Sequence, residues 1–183
     1  MSNNALDYLK SGKTILYPTD TVWGIGCDAT NPIAVQKIYK LKQRAESKSL
    51  IILVDSIAML QSIIKNIPLK IIDFIQNTSK PTSIIYTNPT GLAKNVIARD
   101  NTVAIRVTTD PFCKELIHKL GAPIVSTSAN ISGEQTPENF NEINERILES
   151  VDYIVPLQYD QTQGKSSQIL RLQSDGTLLI IRA

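Results

Sequence analysis

Histidine and cysteine are nearly absent: the 183 residues hold one histidine, His118, and two cysteines, Cys27 and Cys113. One imidazole cannot build a histidine-based zinc site and all but excludes a Ser-His-Asp triad. His118 also falls away from the apolar stripe of its predicted helix, where a solvated surface role is the simplest account. The two thiols lack the paired spacing of a zinc or redox motif and are too few for a disulfide framework, so a reducing compartment suits them. No apolar run approaches the roughly 20 residues that cross a bilayer. The N-terminal MSNNALDYLK lacks a basic region followed by an apolar one, so neither secretion nor a membrane partner is expected and the cytoplasm is. The triplets Asn77-Thr78-Ser79 and Asn130-Ile131-Ser132 are then chance matches to a glycan acceptor. Charge of one sign is scarce too: 19 Lys+Arg against 17 Asp+Glu leave +2, too little for a nucleic-acid coat, so any anion site must be local.

What remains is an ordinary globular composition, 42% hydrophobic and 20% charged, at a length that fits one domain, residues 1–183. A helix is predicted over about 3–11, ended by Gly12, then a strand at Thr14 to Tyr17. Asn31-Pro32 reads as a cap with proline at the first helical position, and Ala34, Ile38 and Leu41 follow at helical spacing up to about Gln43. Ser49 to Val54 is a continuous apolar run, hence a strand buried on both faces, with Asp55 as the cap of the next helix and Pro68 dividing two helices. Ser83–Tyr86 and Thr102–Val107 read as strands joined by a working loop. Asp110-Pro111 starts a helix with the stripe Phe112, Leu116, Leu120 and a stop at Gly121. A short strand at Pro123–Val125, a helix from Thr136-Pro137, and a hairpin of 168–172 with 177–181 across Ser174-Asp175-Gly176 complete a mixed α/β reading.

Two nucleotide motifs fail on spacing. Gly24-Ile25-Gly26-Cys27-Asp28-Ala29 matches a dinucleotide fingerprint, but its helix starts later, at Asn31-Pro32. Gly164-Lys165-Ser166 resembles the end of a P-loop, yet Tyr159 stands where the first glycine belongs. Glu142 and Glu145 read as a solvated face rather than a catalytic acid pair. Three polar clusters survive: the hydroxyl-rich turn Tyr17 to Gly24; the cations Lys40, Lys42, Arg44 and Lys48; and Ser126 to Gly133, directly after an apolar strand. Each has a plain alternative, respectively a turn, a solvated helix end and a second turn. Together they supply cations for phosphates and hydroxyls for a polar zwitterion without a His, Cys or carboxylate nucleophile, which favours catalysis by positioning and charge.

YPTDTVWGIG, the pair Lys42-x-Arg44 followed by Lys48, and Ser128-x-Asn130 within STSAN resemble the YrdC family, also called TsaC, in order from about residue 6 to residue 182. The resemblance implies a single-domain YrdC-like α/β fold, a twisted, mainly parallel mixed sheet flanked by helices around a concave basic cavity. It implies a threonylcarbamoyl-AMP synthase: ATP, L-threonine and bicarbonate give L-threonylcarbamoyl-AMP and pyrophosphate, with Mg2+ accompanying ATP. A downstream transferase would use the product to make t6A in tRNAs that read ANN codons. Carried over by position, the resemblance makes Lys42 and Arg44 catalytic. Arg44, Lys48, Thr102, Ser128, Asn130, Thr136, Ser166 and Arg182 become ATP contacts, and Thr21, Arg106 and Ser126 threonine contacts.

Trp23 stands where the family usually has Tyr, and Ala45 and Ser49 replace frequent prolines, changes of shape rather than charge. Leu53 stands where longer relatives often carry a threonine-contacting histidine. Two other readings compete: an RNA-binding or ribosome-associated module using the same basic face without turnover, and a carbamoyl-adenylate module like that of hydrogenase maturation factors. The Thr21, Arg106 and Ser126 set speaks against the first, because an RNA groove does not need an amino-acid pocket. The second belongs to much larger chains.

Overall fold

The computed structural model describes residues 3–43, 50–156, 158, 160 and 164–183, apart from the side chain of Asn3. Helix α1 (Asn3–Lys10) buries Ala5 and Leu9, and strand β1 (Ile15–Tyr17) follows. Strand β2 (Gly24–Gly26) returns antiparallel on β1. Helix α2 (Pro32–Leu41) starts as Asn31-Pro32 predicts, because the Asn31 side chain accepts from the amides of Ile33 and Ala34 at 3.0 and 3.2 Å. Strand β3 (Ile51–Val54) has the expected two-sided burial. Helix α3 (Ile57–Ile63) is capped by Ser56 rather than Asp55: Ser56 Oγ accepts from the Met59 amide and donates to Asp55 Oδ1 at 2.6 Å. Helix α4 (Leu69–Asn77) begins after Pro68.

Strands β4 (Thr82–Thr87) and β5 (Thr102–Val107) pair antiparallel. The 88–101 connection is no working loop for the cavity described below: none of its residues lines that cavity, and Asn88 and Asn101, both at positive φ, close it by their own hydrogen bonds. Helix α5 (Pro111–Leu120) runs from the Asp110 cap to Gly121 at φ 71°, a conformation glycine adopts without strain. Strand β6 (Ile124–Ser128) extends past Val125 through three polar residues, because β2 and β3 pair with it on either side. No helix starts at Thr136-Pro137. The Glu142 carboxylate draws in the amide of Glu138 (2.8 Å) and Asn139 Nδ2 (2.6 Å), leaving a 3-10 turn at Phe140–Glu142 before helix α6 (Glu145–Ser150), capped by Asn144. Strands β7 (Tyr153–Ile154), β8 (Gln168–Leu172) and β9 (Leu178–Arg182) end the chain, the last two as the expected hairpin.

Among the described residues the strands form one nine-stranded sheet in the order β7-β1-β2-β6-β3-β5-β4-β8-β9. It is mixed, but not mainly parallel: only β1/β7, β3/β5 and β4/β8 run parallel. Short connections such as those of β1 to β2 and β8 to β9 can join antiparallel neighbours only. Alternation along β3 sends Ile52 and Val54 into a core with α2, α3 and α4, and Leu53 into a second core with α1 and α5 on the other face.

Candidate active site

Register carries side chains from distant segments to one place. Ser126 on β6 lies opposite Ile51 on β3, Ile51 opposite Ala104 on β5, and Ala104 opposite Ile85 on β4, a continuous row across four strands. Two residues along, strand alternation puts Arg106 on the face of Ala104 and Ser128 on the face of Ser126. Together they line a cavity of about 390 Å3. Thr21 reaches it from the β1–β2 turn, Thr136 and Ser166 from loops, and Arg182 from β9. Gly24 also lines it, where a Cβ would stand 3.3 Å from Ser126 Oγ.

Arg106 is the centre of this wall, 3% exposed. Its Nη1 is 2.7 Å from Asp20 Oδ1 and its Nη2 donates to Thr21 Oγ1 at 3.3 Å, while Nε is buried without a partner among the described residues. The turn is held from within: Thr19 Oγ1 lies 2.8 Å from Thr21 Oγ1, donates to the Val22 carbonyl or to Thr21, and accepts from the Thr21 amide at 3.1 Å. An ordinary hydrogen bond at this distance, with the one to Arg106, fixes Thr21 Oγ1 at the cavity wall. Asp20 was not singled out from sequence; its signal was only its place between two threonines.

Behind the wall, Tyr17 is fully buried and its hydroxyl donates to the Val125 carbonyl at 3.2 Å. The glycine of β2 facing it is dictated by space: a Cβ on Gly26 would lie 2.6 Å from both Tyr17 Cε1 and the Val125 carbonyl oxygen. Gly24 and Gly26 thus sit in a strand, several residues before α2, which agrees with the rejection of the dinucleotide reading. Gly164 to Ser166 runs into β8 rather than a helix, so the P-loop reading falls too.

Three designated residues lie outside the cavity lining. Thr102, at the start of β5, donates to Asp100 Oδ1 at 2.6 Å. Asn130 accepts from Ser128 Oγ and donates through Nδ2 to the carbonyls of Ile131 and Glu134. Lys42 is 1% exposed, and its Nζ donates to the carbonyl of Ser128, the carbonyl of Asn130 at 2.7 Å and Asn130 Oδ1 at 3.3 Å. It thereby braces the loop that presents Ser128. Arg44 and Lys48, with Ala45 and Ser49, lie outside the described residues. Leu53 is fully buried in the α1/α5 core and does not line the cavity.

On the far side, Arg182 Nε and Nη2 donate to the Ser167 carbonyl at 3.2 and 2.6 Å, and Ser167 Oγ lies 2.9 Å from Ser83 Oγ. Ser167, a further lining residue, escaped the sequence reading because only the pairing of β4 with β8 brings it to Ser83. Burial lowers the Arg182 pKa from its ordinary value. Burial also raises the Tyr17 phenol and the Cys27 and Cys113 thiols well above theirs, so these groups stay protonated and supply no anionic nucleophile. His118 is a surface residue, its side chain 83% exposed and 3.4 Å from Asp55. Among the described residues no three His, Cys, Asp or Glu side chains group as metal ligands, and no helix is long and apolar enough to cross a membrane.

A mixed α/β sheet whose cavity combines hydroxyls with two arginines, and whose thiols are held protonated, defines a ligand-binding protein that works through hydrogen bonds and charge. The chain belongs to the Sua5/YciO/YrdC family, whose model, described as "Telomere recombination", matches residues 7–183. It is 36% identical over 171 residues, 90% of this chain and 87% of the relative, to a threonylcarbamoyl-AMP synthase of Pseudoalteromonas translucida. Among solved structures it superposes on P. abyssi Sua5 complexed with L-threonine with a TM-score of 0.84 at 25% identity, over 96% of this chain. The chain spans about half of that protein, 52% of its length. Against E. coli YciO the TM-score is 0.79 at 22% identity, covering 98% of this chain and 87% of the other, a likeness of fold.

Proposed function

We propose that residues 1–183 act as one unit, an L-threonylcarbamoyladenylate synthase and hence a nucleotidyltransferase. The observation that carries this reading is the convergence of two recognition sets on one cavity. Thr21, Arg106 and Ser126 suit an amino acid; Ser128, Thr136, Ser166 and Arg182 suit a nucleotide. A reaction joining an amino acid to a nucleotide needs both within one space. The relatives named threonylcarbamoyl-AMP synthase and the L-threonine complex of P. abyssi Sua5 support the same assignment.

In the proposed reaction the threonine amine attacks the carbon of bicarbonate, and loss of water leaves the N-carboxylate. One oxygen of that carbamate then attacks the α-phosphorus of ATP as the bond to the bridging oxygen breaks, releasing pyrophosphate. Arg106 orients the threonine carboxylate: it lines the cavity, and a planar guanidinium can hold Asp20 and a ligand carboxylate on different edges. Thr21 and Ser126 hydroxyls fix the remaining polar groups of the amino acid. Lys42, through the carbonyls of Ser128 and Asn130, keeps the nucleotide loop in place, and Arg44 with Lys48 offset the charge gathering on pyrophosphate. Arg182 from β9, with Ser166 and Thr136 from loops, bounds the nucleotide part of the cavity, while Asn130 sets Ser128 and Thr102 borders the nucleotide end. ATP would bring Mg2+ on its phosphates, since magnesium retains phosphate and water ligands and the described residues offer no carboxylate cage. The adenylate would pass in the cytoplasm to a downstream threonylcarbamoyl transferase acting on tRNA.

Pyrophosphate release by the purified protein, with threonine and bicarbonate omitted in turn, tests this directly. The synthase reading expects release only with both present; release with neither, or none with both, overturns it. Arg44→Ala is expected to lower the rate by about 10²–10³, the usual effect of removing one group that stabilises transition-state charge.

A further inference from the structure

A second cavity, of about 420 Å3, opens on the opposite face of the sheet, between the start of α4 and the β8–β9 turn. The opposite face follows from alternation on β4, where Ile85 lines the first cavity and Tyr86 the second. We propose that this cavity is a binding site for a phosphate group, either free or as a phosphomonoester.

Three independent features converge on an oxyanion. Tyr86 is 2% exposed yet lines the cavity, and its phenol makes no hydrogen bond with the described protein. Burial raises its pKa, so the hydroxyl remains a donor. The ring is buried while the phenol oxygen itself is not sealed off, so the hydroxyl is satisfied by what enters the cavity. Second, α4 has Pro68 at its cap position: its carbonyl takes the Ile71 amide at 2.9 Å, and it offers no side chain to the amides of Leu69 and Lys70. The positive end of this nine-residue helix is therefore open at Pro68 and Lys70, both of which line the cavity. Third, Lys65 and Lys70 line it, and Lys70 Nζ lies 3.2 Å from where a Cβ on Gly176 would stand, directly against the hairpin turn.

The opposing charge is Asp175, which also lines the cavity. Its carboxylate is already engaged by the Thr177 amide at 2.8 Å and the Thr177 hydroxyl at 2.6 Å, bonds that hold its pKa low. It therefore remains an anion near Lys70, its Oδ1 already taken up by Thr177. Two ammonium groups, one phenol and one helix N-terminus against one occupied carboxylate leave a net donor set, which matches the several acceptor oxygens of a phosphate. A cation would meet two lysines, and an apolar ligand would leave the phenol unsatisfied.

The site does not depend on the proposed synthase activity, and its test reads the two cavities separately. Inorganic phosphate is titrated into the 15N-labelled protein at constant ionic strength set with chloride, following the backbone amides of Asn66, Lys70 and Gly176 for this cavity and Ser126 and Ser166 for the other. Saturable shifts of the first three are expected. Tyr86→Phe should weaken binding about ten-fold, the effect of one hydrogen bond to a charged ligand. The surface double variant Lys65→Gln/Lys70→Gln should weaken it at least as much, and it keeps the test decisive should Tyr86→Phe fold poorly. AMP in place of inorganic phosphate separates the sources: tighter binding at the same amides assigns a phosphomonoester, weaker binding free phosphate. Shifts confined to Ser126 and Ser166, linear shifts that chloride reproduces, or equal affinity in wild type and the lysine double variant would each overturn the proposal.

Discussion

Asp20→Ala isolates the contact on which the cavity wall rests. The Arg106 side chain is 4% exposed and that of Asp20 16%, with the charged atoms 2.7 Å apart. Removing one member of a buried pair costs about 3–5 kcal/mol, because the remaining charge stays desolvated without compensation. Asp20 retains some contact with water, which places the expected loss near the lower end, about 3 kcal/mol. Among the described residues Arg106 would keep only the 3.3 Å bond to Thr21, since its Nε already lacks a partner there. Asp20→Asn preserves an acceptor but not the charge, and the difference between charged and neutral hydrogen bonds gives a milder loss of about 1–2 kcal/mol. Urea unfolding measures both. With a slope of about 1–3 kcal/mol per molar, the alanine variant should unfold at least about 1 M earlier. The double variant Asp20→Ala/Arg106→Met removes the orphaned charge and should be more stable than Asp20→Ala alone. Equal midpoints for wild type and Asp20→Ala, or a double variant that simply adds the two single losses, would refute a buried, energetically coupled pair. If Asp20 sets the guanidinium for threonine, Asp20→Asn should also raise the KM for threonine more than that for ATP in a pyrophosphate-release assay.

Gly26→Ala and Gly24→Ala should separate folding from function: the first forces a 2.6 Å approach to Tyr17 and to backbone and should cost about 3 kcal/mol in thermal or urea unfolding, the upper range for overpacking. The second meets Ser126 Oγ at 3.3 Å in the cavity and should reduce turnover more than stability. Lys42→Met leaves two loop carbonyls without their ammonium donor, so a loss of about 2–3 kcal/mol in unfolding free energy is expected together with loss of nucleotide binding by calorimetry. Cys27 and Cys113 should react with a thiol reagent only as fast as the protein opens, since both are buried and protonated; rapid labelling of the native protein would contradict this. The same groups, with Tyr17 and Tyr86, have raised pKa values in the fold, so the unfolded chain loses their protons first as pH rises. Their contribution is full at neutral pH and declines above about pH 8.5, where unfolded thiols begin to ionise, so unfolding midpoints should fall from there upward.

Elements governed by local chemistry were legible in the chain. The Asn31-Pro32 cap, the Gly121 stop, the Pro68 break, the apolar run of β3 and the terminal hairpin all depend on residues within one or two turns of each other. Local signals failed where two candidates competed at short range, as with Ser56 over Asp55, or where a nearby carboxylate diverted the backbone, as Glu142 does after Pro137. The polar end of β6 was invisible for a different reason: strand partners on both sides, not its own composition, extend it through Ser126, Thr127 and Ser128.

For the site, the sequence alone determined the inventory: hydroxyls in the 19–21 turn and the 126–128 segment, basic residues at 42, 106 and 182, and too little histidine or cysteine for other chemistries. Side-chain chemistry is a property of residue identity, so this much needs no coordinates. Only the tertiary structure decided which of these groups meet. Strand order and register bring Arg106 to Asp20 across 86 positions, seat Lys42 on the carbonyls of Ser128 and Asn130, and leave Thr102 outside the cavity. It also turned Tyr86 toward a second cavity that no spacing in the chain suggested. Such contacts arise from the simultaneous burial of both sheet faces, a condition on the whole fold that no local stretch of sequence contains.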